Sequence, residues 1–342
     1  YTEVDTLSLH DALPIWALGS AGLLPRGAGG RGQAVQAQAA APPQRHTAEV
    51  TPPRASAPDI MRPAPADRFG PLAERVSEGD LALLEREELL QGRAMPALRR
   101  FSDALEALPA DGWEARLRPC FAEMALNLES FNPVFTACLL QVQITAGQSD
   151  YERRDACLQR LIQPLAGEYG LHADEPLGPT HRALFREWVE SVLPEGPGAL
   201  GALMADPSLG APRAERLFSQ MMRDVEVGGR GFGGAGRSSL ERAAYALGYN
   251  LAVEYLADPE KTWLLESFRK FDARVLTPLG RQPAYEFLVV HAEGEKEHAD
   301  LGHEAAALFC PAELEPVLRR AMRDHDRDLA EYYNGLADLL EG

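Results

Sequence analysis

From about Pro71 to the C-terminus, apolar residues recur at three- and four-residue spacing, and the Val/Ile/Thr alternation of strands is almost absent. A chain with that period gives each element one apolar stripe, which helices bury against other helices. The sequence therefore predicts an all-α domain over 71–342. Turn and capping residues divide it into helices at 81–90, 95–108, 113–128, 131–145, 152–169, 181–193, 211–225, 240–255, 260–274, 283–309 and 311–340. The dividers are Gly92, Pro109 with Gly112, Gly147, the Pro179–Thr180 start signal and the Pro194, Gly196, Pro197 stop. Ser238 and Glu241 form a capping box ahead of the helix at 240–255. No repeat of fixed period is visible.

The N-terminal part is of another kind. Residues 1–15 (YTEVDTLSLHDALPI) resemble translated sequencing-adapter read-through and are expected to be non-native and to take no part in the fold. Residues 16–70 are dominated by Ala, Gly, Pro, Arg and Gln, which cannot bury enough surface to offset chain entropy, so a disordered extension is expected. The short apolar run at 15–24 lacks the basic flank of a secretion signal. His10 and His46 fall in these segments and are not site candidates.

Charge excludes one class of partner. There are 51 Asp and Glu against 34 Lys and Arg, a net charge of -17, with no basic run to track phosphates, so nucleic acid is not an expected partner. No apolar run reaches the roughly 20 residues that span a bilayer, so no membrane partner is expected either. Cys120, Cys138, Cys157 and Cys310 have neither C-x-x-C spacing nor scaffold density, and read as buried apolar residues of a cytoplasmic protein.

The chemistry lies in polar residues set on apolar faces. His291, Glu295 and His298 stand at i, i+4 and i+7 and share one helix face. The stripe of Ala284, Phe287, Leu288, Leu301, Gly302, Ala305 and Phe309 runs through them, so the trio points inward. Glu254 ends the stripe of Leu240, Ala243, Leu247 and Leu251; Glu168 continues that of Leu158, Leu161 and Leu165; His181 leads that of Leu184, Phe185, Trp188 and Val192. Singly, each is as well explained by a satisfied core histidine or a helix end emerging into solvent. Together they put three His and three Glu on four helices, and a shared interior point accommodates them most economically. Imidazole and carboxylate ligands without thiolates suit non-haem iron or manganese better than structural zinc. Two divalent ions against three carboxylates nearly close the charge, as a buried site requires. A ferritin-like site would carry two E-x-x-H motifs, and this chain has one, Glu295 to His298.

Two further features carry less. Gly229, Gly231 and Gly234 have G-x-G-x-x-G spacing without the strand-turn-helix context of a nucleotide site, so a linker is the reading. His325 and Asp326, flanked by Arg319, Arg320, Arg323 and Arg327, read as a solvated face.

These residues resemble the heme-oxygenase-like diiron oxidases, also called iron-containing redox enzymes, over about 155–309. FLVVHAEGEKEHADLGHEAA resembles the third core helix, H-x-x-x-D-x-x-H, with Glu295 where the family usually has Asp. ALGYNLAVEYLA resembles its L-G-x-x-x-A-x-E segment and maps a ligand onto Glu254. GEYG and THRALF resemble its E-x-G stretch and H-x-x-L-F, mapping ligands onto Glu168 and His181, with Glu175 the alternative for the first and His172 nearby. The resemblance implies a heme-oxygenase-like helical bundle, two Fe(II) ions held by Glu168, His181, Glu254, His291, Glu295 and His298, and O2 as co-substrate in oxidising a small organic molecule. It names no substrate, and a homodimer is compatible with it.

Three other readings stay open. One is a metal-free, thiaminase-II-like hydrolase or cofactor-biosynthesis enzyme with a cysteine nucleophile. Another is haem degradation, which lacks a histidine near the start of the helical domain. The third is a binding protein with a vestigial metal site. The helices at 131–145 and 211–225 are expected to shape the substrate pocket.

Overall fold

The computed structural model describes residues 74–147, 149–171, 177–229 and 238–342, with the side chains at 258, 260–262 and 293–296 outside that description. They belong to the unit Ser56–Gly342; the other unit, Tyr1–Ala55, lies outside the described residues, as do the expectations for 1–15 and 16–70. Every extended element is helical, and the one β-bridge among the described residues joins Arg75 to Pro311. The helices are α1 (Glu78–Leu84), α2 (Ala94–Glu106), α3 (Trp113–Gln143), α4 (Tyr151–Glu168), α5 (His181–Val192), α6 (Ala199–Ala205), α7 (Pro212–Val227), α8 (Ser239–Phe271), α9 (Glu286–Phe309) and α10 (Glu315–Glu341). Among the described residues, no helix is long and apolar enough to cross a membrane.

Burial explains both the agreement with the periodicity and the departures from it. α8 packs against α2, α3, α7, α9 and α10. It is a single helix where Pro259 reads as a break between two. Leu251 and Leu256 before the proline and Leu264 and Phe268 after it are buried in the same core. That burial outweighs the roughly 3 kcal/mol of an interior proline. In the same way α3 runs through Pro119 and Pro133, joining the expected helices at 113–128 and 131–145. The capping box forms as read, Ser238 Oγ accepting from the Glu241 amide and the Glu241 carboxylate accepting from the Ser238 amide. Gly248 has a packing reason: a Cβ there would lie 2.6 Å from the Leu318 carbonyl oxygen, so α8 and α10 cross at this glycine. Gly228 ends α7 in the left-handed conformation, the helix end expected before the glycine stretch; Gly231 and Gly234 lie outside the described residues.

Some inward-facing carboxylates serve the fold. Asp326 accepts from the amides of Arg93 and Ala94, both at 2.8 Å, and so caps the N-terminus of α2. Glu123 accepts from the amides of Arg213 and Ala214, at 3.2 and 2.7 Å, and does the same for α7. Each carboxylate satisfies otherwise orphaned donors and meets the positive end of a helix dipole. His325 and Asp326 are therefore not a solvated face: they are 2% and 3% exposed. The arginines that suggested one lie around α10, where Arg319 and Arg323 pair with Glu88 and Arg327 pairs with Asp324.

His325 is edge-on to Tyr249, ring centroids 4.8 Å apart, and neither ring nitrogen has a hydrogen-bond partner among the described residues. Burial pushes its pKa down to about 3, against about 6.5 in the unfolded chain. The unfolded chain therefore takes up the proton first as pH falls, and stability present above pH 6.5 is lost on the way toward pH 3. Between pH 7 and pH 5 this linkage amounts to about 2 kcal/mol. Thermal melts of His325→Leu should show a shallower loss of Tm over that range than the wild type; parallel profiles would remove His325 as the acid-sensitive group.

Candidate metal centre

Glu168, His181 and His291 meet in the interior. Each offers one ligand atom, and these atoms lie within 4.8 Å of one another. Glu168 ends α4, His181 opens α5, and His291 stands in the second turn of α9. The short connection between α4 and α5 is pinched shut. The Gly178 amide donates to the Gly170 carbonyl at 2.9 Å, and the Leu171 amide reaches back to Ala166. Gly170 has φ +73°, and a Cβ there would fall 2.3 Å from the Gly178 oxygen. Only glycine fits that turn, which is the physical content of the E-x-G stretch. Thr180 then caps α5 through the Ala183 amide, setting His181 at the first helical position.

The geometry at His181 suits a metal ligand. Its Nδ1 lies 2.7 Å from Glu168 Oε1, yet makes no hydrogen bond among the described residues, because the ring nitrogen does not aim at that oxygen. The two atoms sit side by side, as do neighbouring ligands of one ion, which bonds of about 2.1 Å place about 3 Å apart. The His181 and His291 rings are 4.3 Å apart at their centroids. His291 Nδ1 donates to the Phe287 carbonyl one turn back, which leaves Nε2 as the nitrogen with a lone pair.

Glu254 and His298 form a second, looser pair across the α8–α9 interface. His298 Nδ1 is 3.9 Å from Glu254 Oε2. Glu254 is 3% exposed, and its charge helps push the buried Cys138 thiol upward. One turn beyond His298, Gly302 lies against Leu251 and the Glu254 methylenes. The structure thus brings Glu168, His181 and His291 into one group and Glu254 beside His298. Residue 295 lies in α9 between the two sets, with its side chain outside the described residues, where Glu175 and His172 lie as well.

An apolar cavity adjoins the first group. Phe101, Phe131, Phe185, Phe287, Tyr332 and Tyr333 line it with Met124 and Leu128, and Glu168 and His291 belong to its wall. Its volume is about 30 Å³. Beneath it Trp188 stacks on Phe287 and meets Phe121, Phe185 and Phe268 edge-on, a packed aromatic floor. Of the expected helix at 131–145 only Phe131 lines the cavity; the other lining residues of α3, Met124, Asn127 and Leu128, precede it. α7 instead borders a separate polar cleft. The Phe287 carbonyl and the α10 tyrosines carry no sequence signal of their own. His303, another histidine of α9, pairs with Glu85 at 2.8 Å, and that bond raises its pKa.

No family model and no curated protein matches the chain. Among solved structures it is similar to a CADD-like protein of unknown function from Nostoc punctiforme, with a TM-score of 0.50 and 14% identity over 76% of this chain and 95% of that one. That likeness is one of fold.

Gly170→Ala probes the pinched turn without touching a ligand. It should lower thermal stability by about 1–3 kcal/mol, and it should weaken metal binding while far-ultraviolet dichroism keeps its helical form. Wild-type metal affinity in this variant would show that the turn does not set the Glu168–His181 contact.

Proposed function

We propose that this protein is a non-haem iron oxidase or oxygenase of the heme-oxygenase-like diiron kind, using O2 to oxidise a small organic substrate. The observation that carries the reading is His181 Nδ1, buried, without a hydrogen bond among the described residues, and 2.7 Å from a carboxylate oxygen beside a second imidazole. Isolated buried ionisable groups are costly, and an ion between them removes that cost. The residues fit the group in donor chemistry: oxygen and imidazole nitrogen without thiolate, as non-haem iron takes. Glu168, His181 and His291 would hold one iron, and Glu254, His298 and Glu295 the other. Bound iron supplies the electrons that reduce O2.

The rest of the work falls to the chain itself. The Phe287 carbonyl holds the His291 ring in one tautomer, so its ligating nitrogen needs no reorientation. The pinched turn holds Glu168 and His181 in register. The aromatic walls keep bulk water from the cavity and orient the reacting part of the substrate. The cysteine-nucleophile alternative is opposed by the thiols: Cys120, Cys138, Cys157 and Cys310 are all buried, and burial pushes each far from ionisation.

Anaerobic loading with Fe(II), followed by iron analysis and an oxygen electrode, tests the proposal. The wild type should take up about two irons per chain and consume O2. His181→Ala and His291→Ala should each lose iron with helical content intact, because removing a ligand removes little apolar packing. Glu295→Ala should retain about one iron per chain and lose O2 consumption. Glu295→Asp, one methylene shorter, should bind iron but react far more slowly. Stoichiometric iron in both histidine variants would overturn the proposal, and a fully active Glu295→Ala would remove Glu295 from the centre.

A further inference from the structure

Among the described residues no arginine or lysine lines the cavity beside Glu168 and His291, so the part of a substrate that reaches the centre is uncharged. Tyr332 belongs to this wall and also to that of a second cleft, about 80 Å³, between α7 and α10. The polarity there is opposite. Arg213, Arg216 and Gln220 stand on the α7 side, and Asp328 and Glu331 on the α10 side.

Most of these groups are already engaged. Arg213 pairs with the buried Glu123, Gln220 donates to Asp224, and Asp328 faces Arg327. Arg216 and Glu331 have neither a hydrogen bond nor an ion pair among the described residues, with each other or with any neighbour. A cation and an anion thus face one small cleft from opposite walls without meeting. A ligand carrying both charges on neighbouring atoms satisfies both, its carboxylate on the arginine fork and its ammonium on the glutamate. A simple carboxylate would leave Glu331 opposed to it, and a simple amine would leave Arg216 so.

We propose that the substrate is an α-amino acid with an apolar side chain, its head held by Arg216 and Glu331 and its side chain directed past Tyr332 into the aromatic cavity. The proposal rests on the reading of the centre as catalytic. Tyr332, 3% exposed and shared by both spaces, is the specificity-determining residue: its ring separates the charged head from the apolar chamber, and its displacement joins them.

Isothermal titration of the full chain tests this, once loaded anaerobically with Fe(II) and once without metal. The probes are L-norleucine with hexanoate and pentylamine, L-phenylalanine with 3-phenylpropionate and 2-phenylethylamine, and glycine. Each of the two amino acids should bind about tenfold or more tightly than its deaminated or decarboxylated analogue and than glycine. Arg216→Gln should bring the amino acid down to the level of the amine, and Glu331→Gln down to the level of the acid. Both residues are exposed, so the variants keep the core. Equal binding within each set, wild-type behaviour in both variants, or no binding of either amino acid at millimolar concentration would overturn the proposal. The metal-free arm keeps the two readings separate, since a chain that takes up no iron refutes the diiron centre while the titrations still judge the cleft.

Discussion

The interior of this bundle holds charge, and the cost of burying it governs the structure around the centre. A lone carboxylate or imidazolium removed from water costs several kcal/mol, so each inward-facing ionisable group needs a partner or must stay neutral. The fold meets that need in three ways. Glu123 and Asp326 cap the N-termini of α7 and α2. His325 is held neutral by its apolar surroundings. Glu168, His181 and His291 converge on one another, and the His181 nitrogen beside the carboxylate makes no hydrogen bond among the described residues. The last is the arrangement that the proposed ion would complete.

Backbone constraints turn that chemistry into geometry. Gly170 lets the connection between α4 and α5 double back, so a residue at the end of one helix meets a residue at the start of the next. Gly248 lets α10 approach α8 closely, and α8 in turn carries Glu254 against the His298 face of α9. The aromatic floor around Trp188 packs beneath His291 through Phe287, whose carbonyl also holds the imidazole. Placement of the candidate ligands therefore depends on two glycine contacts and one rigid apolar cluster.

The all-α fold was legible because its signal is local: a 3.6-residue period shows in any window of the chain. His181, Glu254 and His291 were legible as polar interruptions of that period. What a carboxylate faces was not legible, because a cap and a ligand leave the same mark on a helical stripe. Asp326 reads as solvated beside its arginines, and only the arrival of the α2 N-terminus reveals a cap. Pro133 and Pro259 read as breaks because propensity is local, whereas the burial that overrides it comes from helices distant in sequence. Glu168 and Glu175 could not be separated by spacing; the structure sets Glu168 beside His181, and Glu175 lies outside the described residues.

Anomalous diffraction at the iron edge, from crystals grown with Fe(II) under anaerobic conditions, tests the central claim most directly. Two peaks are expected within the bundle, some 3.5–4 Å apart, one bonded to Glu168, His181 and His291 and the other to Glu254 and His298. A bundle interior without iron, with Glu168 and His181 still side by side, would contradict it and leave a buried polar cluster in place of a metal centre.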